Sequence, residues 1–193
     1  VRLTAAPATH TITDWRTGES RTVEGYAFNG VVPGPTIRAK VGDRVIVDVE
    51  NGLDVPTTVH WHGLDVPVEM DGVPWMRAPI GAGETHTYTY TVEQAATAWY
   101  HPHFDTVHQV DLGLYGVFVV EDPAEPAVDR DIVVVMDDWS ELQGDAAYAD
   151  EVHGAHGMEG WWTANGEVSP ALPVVGGETL RLRVLNASNH GYL

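Results

Sequence analysis

Cysteine is absent from the 193 residues. That excludes disulfides, zinc thiolate sites, a thiol nucleophile and any blue-copper centre built within this chain. Positive charge is scarce: ten Lys and Arg stand against 28 Asp and Glu, the formal charge is −18, and the single lysine is Lys40. Such a surface does not suit nucleic-acid phosphates, nor an anionic membrane surface. No apolar run approaches the roughly 20 residues of a transmembrane helix. The chain opens at Val1 without a basic segment and apolar core, so no signal peptide is expected in it. Convincing helical periods are lacking as well.

Strands and turns fill the space instead. Apolar residues make up 44% of the chain, enough to build a core. Val45, Val47 and Val49 alternate with Arg44, Asp48 and Glu50, the pattern of a half-buried strand. Thr85 to Val92 (THTYTYTV) alternates too, and Leu180, Leu182 and Val184 alternate with Arg181 and Arg183. Leu114 to Val120 and Asp131 to Asp137 are apolar, β-branched runs of the buried-strand type. Asn29-Gly30, Pro33-Gly34, Asn51-Gly52, Asp71-Gly72 and Asn165-Gly166 punctuate them as turns. The sum is an all-β antiparallel sandwich or barrel.

Glu121 to Val128 (EDPAEPAV) reads as a linker between two apolar strands. It divides the chain into a sandwich-sized unit, 1–123, and a second unit, 127–193. The second is shorter than the ~100 residues of a usual sandwich, so the chain is expected to be a fragment or to find its partner strands elsewhere. An incomplete unit exposes a sheet edge, which invites self-association.

The chemically distinctive residues are His60-Trp61-His62 and His101-Pro102-His103. On a strand, positions i and i+2 share a face about 6.6 Å apart, so each pair offers two imidazoles to one side. If the two strand ends are neighbours, four imidazoles converge. Neutral imidazole binds copper, zinc, iron or nickel, and the spacing suits a cluster of ions better than one ion gripped by a single pair. One such pair alone is often a surface or packing accident; two in one unit, each near a tryptophan, point to metal. Trp61 faces away from His60 and His62, toward packing. Pro102 donates no ladder hydrogen bond, which places its pair at a strand end or edge.

VHWHGLDVPVEMDGVP (59–74) and AWYHPHF (98–104) resemble the two N-terminal copper motifs of the multicopper oxidases, the laccase-like enzymes. FNGVVPGPTIRAKVGDRVIVDVEN (28–51) and QVDLGLYGVFVVEDP (109–123) are similar to opening and closing strands of that family's first domain. WTANGEVSPALPVVGGETLRLRVLNASN (162–189) is similar to the early part of its second. The resemblance implies a cupredoxin-like Greek-key β-sandwich, one complete and one partial. It implies that His60 is a ligand of a type 2 copper, and that His62, His101 and His103 are ligands of a type 3 pair. These coppers form the trinuclear centre that reduces dioxygen to water. Asp71 resembles the acid that holds water near that centre and supplies protons; the same Asp-Gly pair also reads as an ordinary turn. The family's C-terminal domain, with its type 1 copper and the remaining cluster histidines, has no counterpart here.

The resemblance implies an oxidoreductase with dioxygen and a phenol, aromatic amine or metal ion as partners, in the periplasm or secreted, this chain alone being inactive. A non-enzymatic copper-binding or copper-tolerance module is the alternative, and a copper-free scaffold a third class that retaining four histidines opposes. Of the other histidines, His86 is expected to be exposed on its strand and His108 to meet solvent more than the cluster. His10 and His190 have no motif. His153, His156 and Met158 form a Gly-rich loop that is either a loose cuprous site or plain surface.

Overall fold

The computed structural model describes residues 1–139 and 161–188. Eleven strands carry nearly all the regular structure: β1 (Arg2–Thr13), β2 (Ser20–Phe28), β3 (Gly34–Lys40), β4 (Arg44–Asn51), β5 (His60–His62), β6 (Thr85–Thr91), β7 (Ala96–His101), β8 (Gly116–Glu121), β9 (Arg130–Trp139), β10 (Trp161–Ala164) and β11 (Leu180–Asn186). A 3-10 turn spans Val68–Met70 and one short helix, α1, spans Thr106–Asp111. At six residues α1 is too brief to print a helical period on the sequence.

Three sheets result, ordered β2-β1-β4-β6, β3-β8-β7-β5 and β10-β9-β11. The first two pack face to face as a β-sandwich. The alternating valines do what their spacing predicts: Val45, Val47 and Val49 are buried in that core with Leu3, Tyr88, Tyr90, Tyr100 and Phe118. Trp61 is fully buried at its centre, with ring centroids 5.4 Å from Tyr88, 5.3 Å from Tyr90 and 6.0 Å from both Tyr100 and Phe118.

The apolar run around β8 has a physical reason. Phe118 and Val120 face the sandwich core, while Val117 and Val119 join Tyr115, Val110, Val135 and Ala187 in a second cluster on the opposite side. The second sheet is therefore covered on both faces, and its central strand reads as continuously apolar. The cover on the far side is the third sheet, through Val133 and Val135 of β9 and Leu185 of β11.

In β11 the alternation is present with its polarity reversed. Leu182 and Val184 are exposed and Arg183 is buried. The cause lies in its partners. The Arg183 guanidinium donates to the Asp131 carboxylate through Nε (2.8 Å) and Nη2 (2.7 Å), to Glu125 at 3.0 Å and to Thr97 Oγ1 at 3.0 Å. Arg38 of β3 also reaches Asp131, at 3.5 Å. The paired arginine holds the Asp131 carboxyl down to about 2. A forked, fully hydrogen-bonded arginine is one of the few charged groups that can be buried without severe cost. Toward the other end of β9, Tyr115 donates a short hydrogen bond to the Asp137 carboxyl. Burial pushes both groups up from their ordinary ranges, Asp137 strongly.

His86 also departs from expectation. It lies on the same side of β6 as the buried Tyr88 and Tyr90, is half-buried, and its ring meets Tyr88 edge-on at 4.5 Å. It is not an exposed residue: burial holds its imidazole down to about 4.

Candidate metal centre

β5 is an edge strand, paired antiparallel to β7 with His60 opposite His101 and His62 opposite Trp99. Directly opposed residues project to the same face. The ladder therefore puts His60, His62 and His101 on one side of the sheet, and β7 ends at His101, so Pro102 lies just beyond the ladder, as a residue without an N–H must. His103 follows, and its backbone N–H donates to Thr58 Oγ1 at 2.8 Å.

All four imidazoles converge. Ring centroids lie 5.6 Å apart for His60 and His62, 5.5 Å for His60 and His101, 4.3 Å for His60 and His103, and 5.3 Å for His101 and His103. One nitrogen each from His60, His101 and His103 lie within 4.8 Å of one another. His62 Nδ1 and His101 Nε2 approach to 3.3 Å. Two nitrogens sharing one tetrahedral ion with bonds of 2.0–2.1 Å stand about 3.3 Å apart, so that pair already has the separation of two ligands on one ion. His101 thus belongs to two overlapping donor sets, which suits a cluster of more than one ion.

Tautomers are set by the backbone. His60 Nδ1 donates to Asp71 O at 2.8 Å, and His101 Nδ1 donates to Pro102 O at 2.9 Å. Both leave Nε2 as the free lone pair, the arrangement by which a carbonyl fixes the orientation of a metal-binding imidazole. Trp99 stacks on His101 at a centroid distance of 4.0 Å and limits its rotation. Burial, reinforced by the neighbouring imidazoles, pushes His101 down to about 3 and lowers His62 and His103 as well. These three rings are accordingly neutral at physiological pH, the form that ligates.

Asp71 ends the 3-10 turn beside the cluster, with its carboxylate Oδ1 3.2 Å from His60 Nδ1. The glycine after it makes this possible. Gly72 has φ of +75°, and a Cβ there would collide with the backbone carbonyl of Val59. Only glycine lets this turn press against the residue preceding His60.

Among the described residues, the remaining histidines stay outside the cluster. His108 is on α1, stacked on Tyr26 at 6.5 Å, and His10 donates from Nε2 to Tyr26 O at 3.0 Å and meets Trp139 edge-on. His153, His156, Met158 and His190 lie outside the described residues. Thr57, Thr58 and Gln109 support the site without having been singled out in the sequence. Their signal was modest: two threonines just before the first histidine pair, and a glutamine in a mixed polar and apolar stretch after the second.

Four imidazoles converging at the edge of a β-sandwich, two of them fixed through Nδ1 by backbone carbonyls, with borderline nitrogen donors and no thiolate, fit a copper-type ion. The comparisons narrow this further. A multicopper oxidase family model matches residues 10–125, and the chain belongs to that family. It is 42% identical over 120 residues to the multicopper oxidase MmcO of Mycobacterium tuberculosis, covering 62% of this chain and 23% of that protein. It is 36% identical over 171 residues to a multicopper oxidase of Staphylococcus aureus, covering 84% and 37%. Among solved structures, a laccase-like multicopper oxidase, CueO, from Ochrobactrum sp. superposes with a TM-score of 0.82 at 33% identity, covering 98% of this chain and 44% of that one. Lac15, from a marine microbial metagenome, gives 0.80 at 34%, covering 97% and 48%. The sandwich is therefore of the cupredoxin kind. The chain spans well under half the length of the two curated relatives.

Proposed function

We propose that this chain supplies the N-terminal copper-binding half of an enzyme that couples one-electron oxidation of a phenol, aromatic amine or metal ion to reduction of dioxygen to water. The observation that carries the reading is the convergence of the two histidine pairs, with the Nδ1 atoms of His60 and His101 tied to backbone carbonyls. In this proposal His60 holds the type 2 copper and His62, His101 and His103 hold type 3 copper, with residues 1–123 as the first cupredoxin unit and 127–193 as part of a second. The 3.3 Å approach of His62 to His101 supports one shared ion for that pair.

Bound copper would supply the one-electron steps, four substrate oxidations matching the four electrons and four protons that turn one dioxygen into two waters. The chain's own residues do the rest. Asp71 lies beside His60 and can hold a proton or a water at Oδ1 near the cluster, while its main-chain carbonyl keeps His60 oriented. Trp99 closes one side of the His101 ring against solvent. An extracytoplasmic location is part of the proposal; among the described residues no helix is long and apolar enough to cross a membrane. Self-association is proposed through the outer face of the third sheet, where Trp162, Leu182 and Val184 are exposed, and light scattering reads it.

The test is dye oxidation and oxygen uptake by the longer protein that contains this chain, loaded with copper. Activity that needs copper and disappears in His101→Ala supports the reading. No copper-dependent oxidation overturns it, and tightly held copper without oxygen uptake replaces it with a copper-binding module.

A further inference from the structure

β5 is three residues long, so its ladder to β7 is a thin restraint on four ligands that must be placed to a fraction of an ångström. A second set of bonds lies behind it. Gln109 of α1 is only 1% exposed. Its side-chain N–H donates to Pro56 O at 2.8 Å, and its side-chain carbonyl accepts from Thr57 Oγ1 at 2.7 Å. Pro56 offers only an acceptor there, which fixes which end of the amide points which way. Thr58, also buried, accepts from the His103 N–H at 2.8 Å. Gln109 is held in turn by its own backbone, its N–H donating to Asp105 O at 2.9 Å and its carbonyl accepting from the Leu114 N–H at 3.0 Å.

Three bonds thus run from residues 56–58, just before the first histidine pair, one to His103 of the second pair and two to Gln109 of α1, which follows it. None of the three side chains is a ligand. We infer that Gln109, acting with Thr57 and Thr58, is a positioning clamp that sets the separation of the two histidine pairs and thereby the affinity and uniformity of copper binding. This rests on reading His60, His62, His101 and His103 as copper ligands. The physical basis is that a buried network with every partner satisfied has one low-energy arrangement, whereas removing one member strands the others and loosens the set. A glutamine serving the core alone would support stability but leave the histidine separation to the ladder.

The experiment uses the full chain, with copper(II) affinity measured by chelator competition, the copper EPR spectrum, and amide hydrogen exchange at His103 measured without copper. Gln109→Leu and Thr57→Val are expected to lose about tenfold or more in affinity, the scale seen when supports of metal ligands are removed. They are also expected to broaden the EPR spectrum and to speed His103 exchange. Thr57→Ser keeps the hydroxyl and is expected to stay within about twofold of wild type. Leu3→Ala, at a buried position of β1 in the other sheet, serves as a comparison that lowers stability without touching the clamp; it is expected to leave affinity and spectrum unchanged. Wild-type affinity and spectrum in Gln109→Leu overturn the inference, as does a loss no larger than that of an equally destabilised Leu3→Ala. Equal copper binding by wild type and His101→Ala overturns the ligand reading instead. The two failures are separable because His103 exchange, read without copper, reports the clamp on its own.

Discussion

His101 carries more of the site than any other residue. It is buried, stacked on Trp99, oriented by Pro102 O, and shared by both donor sets. Replacing it by alanine should remove most copper binding, measured by chelator competition on the purified chain. His86 makes the contrast: His86→Gln should leave copper binding unchanged. It should, however, alter the pH dependence of stability. The folded state holds His86 neutral down to about 4, against 6.5 for a free imidazole. Between those values the unfolded chain binds the extra proton, so this stabilisation is complete above pH 6.5 and is lost as pH falls toward 4. A urea series from pH 8 to pH 4 should show a shallower decline in His86→Gln than in wild type; parallel curves would refute it.

Among the elements, the turn from Val68 to Gly72 is the most exacting. Gly72→Ala combines a positive φ with a collision against Val59 O, and should cost about 1–3 kcal/mol of stability, the usual scale for a forced backbone conformation. Because the turn also delivers Asp71 to His60, copper affinity should fall with it; urea midpoints and copper competition on one preparation check both. How far such elements were legible depended on how local their causes are. The histidine pairs were readable because a period of two and a ligand residue type coincide. The Asp71-Gly72 turn was readable because the glycine marks it. His86 could have been placed inward from the spacing of His86, Tyr88 and Tyr90, but its polarity argued the other way. The reversal in β11 was not legible, since Arg183 is buried only because Asp131, Glu125 and Thr97 arrive from other segments. Nor was α1, whose six residues carry too little pattern, although Gln109 within it supports the site.

For the molecule as a whole, the junction between the second and third sheets holds an acid that resists ionisation. Asp137 faces Tyr115 of the residues leading into β8, Asp111 of α1, and its strand neighbour Asp138. Its carboxyl is raised well above the ordinary range by burial first, with the nearby carboxylates adding to it. The folded state therefore keeps a proton that the unfolded chain releases above about pH 4, and stability declines as pH rises toward the folded value. Asp137→Asn preserves shape and hydrogen bonding without that proton. It should raise the urea midpoint at pH 8 more than at pH 5, and an equal gain at both would refute the assignment.

The distance along the chain between the two histidine pairs of the proposed copper site also governs when the site comes into being. His62 and His101 touch although 39 positions separate them, and the sandwich around them depends on equally remote pairings such as β3 with β8. Contacts of such high sequence separation form late and make folding slow. During that interval the unfolded chain offers ten histidines as independent, mismatched chelators, and metal bound to them stabilises the wrong state. Copper present during refolding should therefore slow recovery of the native tryptophan fluorescence, while copper added afterwards should load without delay. A stopped-flow comparison of the two orders of addition reads this directly: for this protein, assembly of the scaffold must precede delivery of the metal.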